Sequence, residues 1–407
     1  MKRDFPEFTL KNVSKYFLPA TRYPLPAVFT RFFLPATRYP LPAVFTRFFL
    51  HAIRYTLPAV FTRFFLHAIR YTLPAVFIIV ASCAPPIHHA RIDDAFRGKL
   101  LWPPPPEKPR IEYLWSLYSF VPEGKTLTDY IAGEQGGLDD PVTLPYLMRP
   151  FSLFVRGEML YIVDQGPPRV TVVDMKSGNV RHFGFDGPGK LIFPVGVAVG
   201  VGGRVYVSDA ETARVNIYTS EGRFIGVLGQ KRSFRRPTGL GVDDNGNIYV
   251  VDTGAHKVKV FSPGGKLIRK IGKRGKKNGE LNYPTHVWIS DGKVYVTDAM
   301  NFRIQIFSME GKFLTRFGSL GDTYSNLERP KGVAVDSHGN IYVVDNAQDR
   351  IKIFDEKGNI LLFFGESGRS PGKFLLPTGI FIDKENRIYV ADTYNMRIQA
   401  FRLLDGR

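Results

Sequence analysis

From Pro150 onward the chain alternates short apolar runs with turn residues, and the pattern recurs with a period of about 45 residues. Pro330-Lys331-Gly332-Val333-Ala334-Val335-Asp336 opens one unit, and the turn Ser337-His338-Gly339-Asn340 follows it. A second run, Ile341-Tyr342-Val343-Val344-Asp345, ends in an acid, and Arg350 opens a third run five residues later. The hairpin Glu356-Lys357-Gly358-Asn359 leads to a fourth run that stops at Gly365. Apolar runs this short, bounded by Gly, Asn, Asp and Pro, predict antiparallel strands joined by tight turns. Units anchored on Pro150, Pro194, Pro237, Pro284, Pro330 and Pro377 repeat this plan. Four strands per unit make a blade, so the prediction is an all-β, six-bladed β-propeller of four-stranded antiparallel blades over residues 111–407. The sixth unit has only three strands before Arg407, which leaves an open edge. The strand-like Ile111 to Phe120 is expected to fill that place, with Thr126 to Gly133 running along the closure into the first blade.

The N-terminal part follows a different rule. A 16-residue unit, FLPATRYPLPAVFTRF, recurs from Phe17, Phe33, Phe49 and Phe65, the last copy diverging at Ile78. Each unit carries Arg and Pro, which breaks up the roughly 20 apolar residues that a spanning helix requires. Residues 1–82 hold 11 Lys/Arg against 2 Asp/Glu, which is half of the net charge of +18, so the repeat region itself is only moderately basic. Cys83 is the one cysteine, which excludes an intramolecular disulfide and a zinc-thiolate cluster. It ends the apolar stretch Leu73 to Ala81 in the order Val80-Ala81-Ser82-Cys83. This order resembles a bacterial lipoprotein cleavage box, which implies a signal peptide over the end of 1–82, lipidation of Cys83 and a membrane anchor. No Met lies between Met1 and Met148, and the leader is expected to start near Leu66. Ala84 rather than Asp follows the cysteine, which by the same resemblance implies the outer membrane in a Gram-negative cell envelope. Residues 83–110, with Trp102-Pro103-Pro104-Pro105-Pro106, are expected to form an extended Pro-rich tether.

The repeat resembles the NHL repeat, P-x-G-φ-x-φ-D…G-x-φ-Y-V-x-D-x-x-N-x-R-φ-x-φ-F, most closely in its third to sixth copies. The lead-in WPPPPEKPRIEYL is similar to that of bacterial lipoprotein members of the group. Enzymes of this broad architecture, the gluconolactonase-like and peptidylamidoglycolate-lyase-like propellers, hold a divalent metal with convergent Asp, Asn, Glu or His side chains at the channel mouth. That gives one reading of function, a metal-dependent hydrolase or lyase.

Residues common to every copy are expected to serve the scaffold. Asp164, Asp209, Asp252, Asp298, Asp345 and Asp392 end the second strands, and Arg169, Arg214, Lys257, Arg303, Arg350 and Arg397 stand five residues later as their basic partners. Departures from the repeat point to function. At the third position of the units stand Ser152, Gly196, Gly239, His286, Gly332 and Gly379, so blade 4 alone places an imidazole toward the channel mouth. Lys231, Arg232, Arg235 and Arg236 fall in one outer-to-inner loop, and Lys273, Arg274, Lys276 and Lys277 fall in the same loop of the next blade. Two basic runs on one face, beside His256 and Lys257, predict an anion-binding surface. An exported protein is not expected to meet nucleic acid. The leading expectation is therefore a non-catalytic, membrane-tethered propeller that binds an acidic protein or anionic envelope polymer, with no cofactor.

Overall fold

A computed structural model describes residues 88–122, 146–321 and 323–404. The leader, Cys83 and Thr126 to Gly133 lie outside the described residues. Six blades are arranged in sequence, with inner strands at Pro150–Arg156, Pro194–Val199, Pro237–Val242, His286–Ser290, Pro330–Val335 and Ile380–Ile382. Blades 2 to 5 are separate four-stranded antiparallel sheets. In blade 3 the inner strand pairs with Ile248–Asp252, that strand with Lys257–Phe261, and the last with Leu267–Ile271.

Each sheet is covered by a neighbour on both faces, which is why the second strands read as continuous apolar runs rather than alternating ones. Ile341–Asp345, for example, is buried at all five positions. The core is divided into layers between adjacent blades. One layer joins Tyr249, Val251 and Val258 of blade 3 to Val287, Val294 and Phe307 of blade 4. Another joins Leu117, Tyr389 and Ile398 of blade 6 to Leu153, Leu160 and Ile162 of blade 1, so the ring is closed by apolar burial. In blades 3, 5 and 6 the tyrosine of the second strand ties the hairpin turn to this core. Tyr249, Tyr342 and Tyr389 donate to Asp243, Asp336 and Asp383 at 3.3, 3.1 and 3.1 Å.

Ile111–Pro122 pairs antiparallel with Arg397–Leu403 and so supplies the outer strand of blade 6, with Ile398 opposite Leu117 and Leu403 opposite Ile111. The segment before it departs from the expected free tether. His88–Asp93 is a strand lying between Ile111–Pro122 and Asn179–Phe183, the outer strand of blade 1. Blades 6 and 1 thereby share one continuous sheet. Leu101–Trp102 pairs with Ile111 and Glu112, and the Trp102 ring lies 5.8 Å from those of both Phe364 and Phe401. An outer strand leaves a row of backbone donors and acceptors exposed, and the lead-in chain satisfies them where the ring closes. Among the described residues no helix is long and apolar enough to cross a membrane.

Candidate functional site

The six strand-end aspartates are fully buried and hold together the loops of one face. Asp209 accepts four backbone N–H groups, from Ile192, Phe193, Glu211 and Thr212. Asp164 accepts three, from Met148, Arg149 and Gly166, and these offset the burial that pushes its pKa up. The expected basic partner is in place in blades 4 and 6, where Arg303 and Arg397 Nε donate to Asp298 and Asp392 at 2.7 and 2.8 Å. In blades 3 and 5 the expectation needs correction. There the ion pair comes from Lys259 and Lys352, seven residues after the acid, at 2.7 and 3.1 Å. Lys257 remains partly exposed, and the Arg350 guanidinium lies over the Phe363 ring at 4.9 Å. Arg214 is exposed, while the buried Arg169 donates to the Tyr146 carbonyl at 3.2 Å. Positions five and seven share one face of the third strand, so either side chain can reach the same carboxylate.

These buried pairs shape the basic loops above them. Arg303 Nη2 donates to the carbonyls of Lys277 and Glu280, and Asn301 donates to that of Gly275. Leu281 N–H donates to the Lys273 carbonyl, which folds the loop on itself. The Lys259 ammonium donates to the Ser233 carbonyl in the other loop. With their backbones held from below, Lys231, Arg232, Arg235, Arg236, Lys273, Arg274, Lys276 and Lys277 are all exposed. Among the described residues their one ion pair is Lys273 with Glu280, at 3.6 Å. His256 lies between the two runs, buried and in left-handed backbone at φ 57°, and its Nδ1 accepts the Tyr283 N–H at 3.2 Å. Burial and then the Arg274 charge hold this imidazole below its ordinary pKa, with Arg235 adding to the effect. A neutral histidine therefore adds no repulsion to the patch.

The same face surrounds the mouth of the central channel, a cavity of ≈ 680 Å³. Its wall is made by residues on either side of each blade's opening proline. The residue after the proline contributes in all six blades: Phe151, Val195, Thr238, Thr285, Lys331 and Thr378. The residue before it contributes Phe193, Arg236, Tyr283 and Arg329. His286 lines the mouth as expected from its position, but its Nδ1 is turned to the Val333 N–H at 3.4 Å, and burial pulls its pKa down to about 4. Among the described residues no three His, Cys, Asp or Glu side chains converge to hold a metal.

The glycines at the equivalent position explain why that place is usually empty. A Cβ on Gly239 would lie 2.7 Å from both His286 Cα and the Thr285 carbonyl, and one on Gly332 would lie 2.8 Å from the Thr378 carbonyl. Inner strands of neighbouring blades approach that closely around the ring. The residue after the strand-end aspartate stitches most junctions. Gln165, Thr253, Asn346 and Thr393 donate to the carbonyls of Pro194, Pro284, Pro377 and Pro150. Ala210 and Ala299 have no side-chain donor. The junction between blades 4 and 5 therefore combines Ala299 with His286 and Lys331, and it is the most altered part of the ring. Sequence comparison among the copies missed Arg329 and Lys331, although the only charged residue after an opening proline was a readable signal.

Residues 191–218 and 234–261 match the family model of the NHL repeat, and residues 327–406 match that of a 6-bladed beta-propeller. No curated protein matches the chain at a significant level. A solved streptogramin B lyase is similar with a TM-score of 0.50 at 15% identity, covering 66% of this chain and 96% of that one. A gluconolactonase from Xanthomonas campestris is similar at 0.50 and 17%, covering 63% and 87%. An auxiliary nutrient binding protein from Bacteroides ovatus is similar at 0.51 and 15%, covering 65% and 73%. Identities this low speak for the fold. Repeat pattern, blade topology and family matches agree that the chain carries NHL repeats and folds as a six-bladed β-propeller.

Proposed function

We propose that this propeller is a non-catalytic, membrane-tethered protein that captures an acidic protein or anionic envelope polymer on its basic loop face. The observation that carries the reading is the set of eight exposed cations on two adjoining loops, of which one is paired. Such a surface raises the local concentration of anions and speeds their association. The Lys273–Lys277 loop is also fixed by partly buried hydrogen bonds, so little ordering accompanies binding there. Tethering rests on the Val80-Ala81-Ser82-Cys83 sequence.

Retention of the purified protein on immobilised poly-L-glutamate and on lipopolysaccharide tests the reading. Combined charge reversal at Lys231, Arg232, Lys273 and Arg274 is expected to weaken retention by at least about tenfold at moderate salt. Unchanged retention refutes the reading. Mass spectrometry of the mature N-terminus tests the anchor, which fails if Cys83 is unmodified.

A further inference from the structure

The channel mouth holds a second concentration of positive charge, which shares only Arg236 with the outer loops. Arg236, Arg329 and Lys331 come from the openings of blades 3 and 5 and line one cavity. Among the described residues the Lys331 ammonium makes no hydrogen bond or ion pair, and neither does the Arg236 guanidinium. Among the described residues the Arg329 guanidinium reaches only Asn346 Oδ1, at 3.5 Å. All three cations line the cavity, and burial, then the charges of Arg329 and Arg236, depress the Lys331 pKa. Like charges gathered at one mouth repel, and an anion entering among them relieves that repulsion. Glu328 stands on the same rim as an exposed side chain and forms no ion pair with them.

Much of the rest of the mouth is apolar, although Thr238, Thr285, Thr378 and His286 also line it. Phe193, Tyr283 and Met300 are 38%, 45% and 53% exposed, and all three line the cavity. Phe151 and Phe302 extend the apolar wall. A cavity of ≈ 680 Å³ has the size of a small-molecule site, and an apolar wall with a few convergent polar groups is the usual composition of one.

We infer that the channel mouth binds a small organic anion, with its acid group held by Arg236, Arg329 and Lys331 and its apolar body on Phe193, Tyr283 and Met300. This site shares Arg236 with the outer loops, but the polymer-capture variant at Lys231, Arg232, Lys273 and Arg274 leaves its three cations in place, so either reading can fail without the other.

Calorimetric titration with 4-phenylbutyrate and with phenyl phosphate tests the inference, with 4-phenylbutyramide and inorganic phosphate as controls. At least one organic anion is expected to bind about tenfold or more tightly than both controls, and the tighter one identifies the preferred acid group. Lys331→Met and Arg329→Gln are each expected to weaken that binding about tenfold. The exposed Arg329 change guards against a folding defect at the half-buried lysine. The outer-loop double variant Lys276→Ala/Lys277→Ala is expected to bind the probe unchanged. Binding of neither anion, equal binding of the neutral amide, equal binding of inorganic phosphate, or insensitivity to both mouth variants overturns the inference.

Discussion

Lys259 Nζ donates to Asp252 Oδ2 at 2.7 Å from seven residues along the chain, while Lys257, at the position usual for the repeat, stays partly exposed. The aspartate is fully buried and also accepts the N–H groups of Arg235 and Arg236, so this one pair anchors a basic loop. Removing one member of a buried pair strands the other charge. Lys259→Met is therefore expected to cost about 3 kcal/mol, whereas Lys257→Ala is expected to cost less than about 0.5 kcal/mol. Urea unfolding of the two variants checks this, and equal losses would return the partnership to Lys257.

The closure between blades 6 and 1 depends on close backbone approach. A Cβ on Gly379 would stand 2.8 Å from the Phe151 carbonyl and 2.9 Å from Ser152 Cα. Gly379→Ala is expected to destabilise by about 1–3 kcal/mol because backbone, rather than a flexible side chain, has to move. Gly264, whose nearest neighbour would be Ser262 Oγ at 3.9 Å, serves as the control, with Gly264→Ala within about 0.5 kcal/mol of the parent. Thermal midpoints of the two variants make the comparison.

The strand His88–Asp93 is expected to contribute measurable stability although it precedes the repeats. Ala90 N–H donates to the Gly178 carbonyl at 2.7 Å, and Ala90 faces Phe120 in the ladder. Ala90→Pro removes that donor and is expected to cost about 2 kcal/mol. Amide hydrogen exchange should rise along Asn179–Phe183 and Ile111–Pro122 while blades 3 to 5 stay protected. Unchanged exchange would mean that the strand is an ornament of the edge.

Acid should loosen the same region. Burial, then the charges of Arg169 and His88, lower the His182 pKa to about 2, and burial also lowers that of His88. The rings are 6.1 Å apart, and neither ring nitrogen of His88 has a hydrogen-bond partner among the described residues. A histidine held neutral in the fold takes up its proton first in the unfolded chain. Its stabilisation is intact above the unfolded pKa, about 6.5, and is lost as pH falls from there toward about 2. Stability should thus decline below pH 6.5 by up to about 1.4 kcal/mol per unit per histidine. His182→Gln should flatten the slope between about pH 6 and pH 4 in urea titrations at stepped pH, and an unaltered slope would assign the acid sensitivity elsewhere.

The repeat made the blades legible because local residue order determines them. Apolar runs such as Ile341-Tyr342-Val343-Val344, stopped by an aspartate and a glycine turn, leave a chain little choice but four antiparallel strands. The exposed basic runs were legible for the same reason, since loops between strands stay at the surface. Partnerships between strands were less so. Positions five and seven after each aspartate point the same way, and whether Arg303 or Lys259 reaches the acid depends on the loop packed above it. The strand His88–Asp93 in the lead-in was not legible, because Pro-rich composition says nothing of an unpaired edge elsewhere.

The sequence alone determined that this protein is a ring of six four-stranded blades and that its second and third inter-blade loops are basic. Periodic burial is a local property, and copies of one pattern report it six times. Only the tertiary structure decided that His88–Asp93 seals the ring and that Lys331, Arg329 and Arg236 meet at the channel mouth. Those residues lie as much as 95 positions apart, from 236 to 331, and closing the ring is what brings them around one cavity.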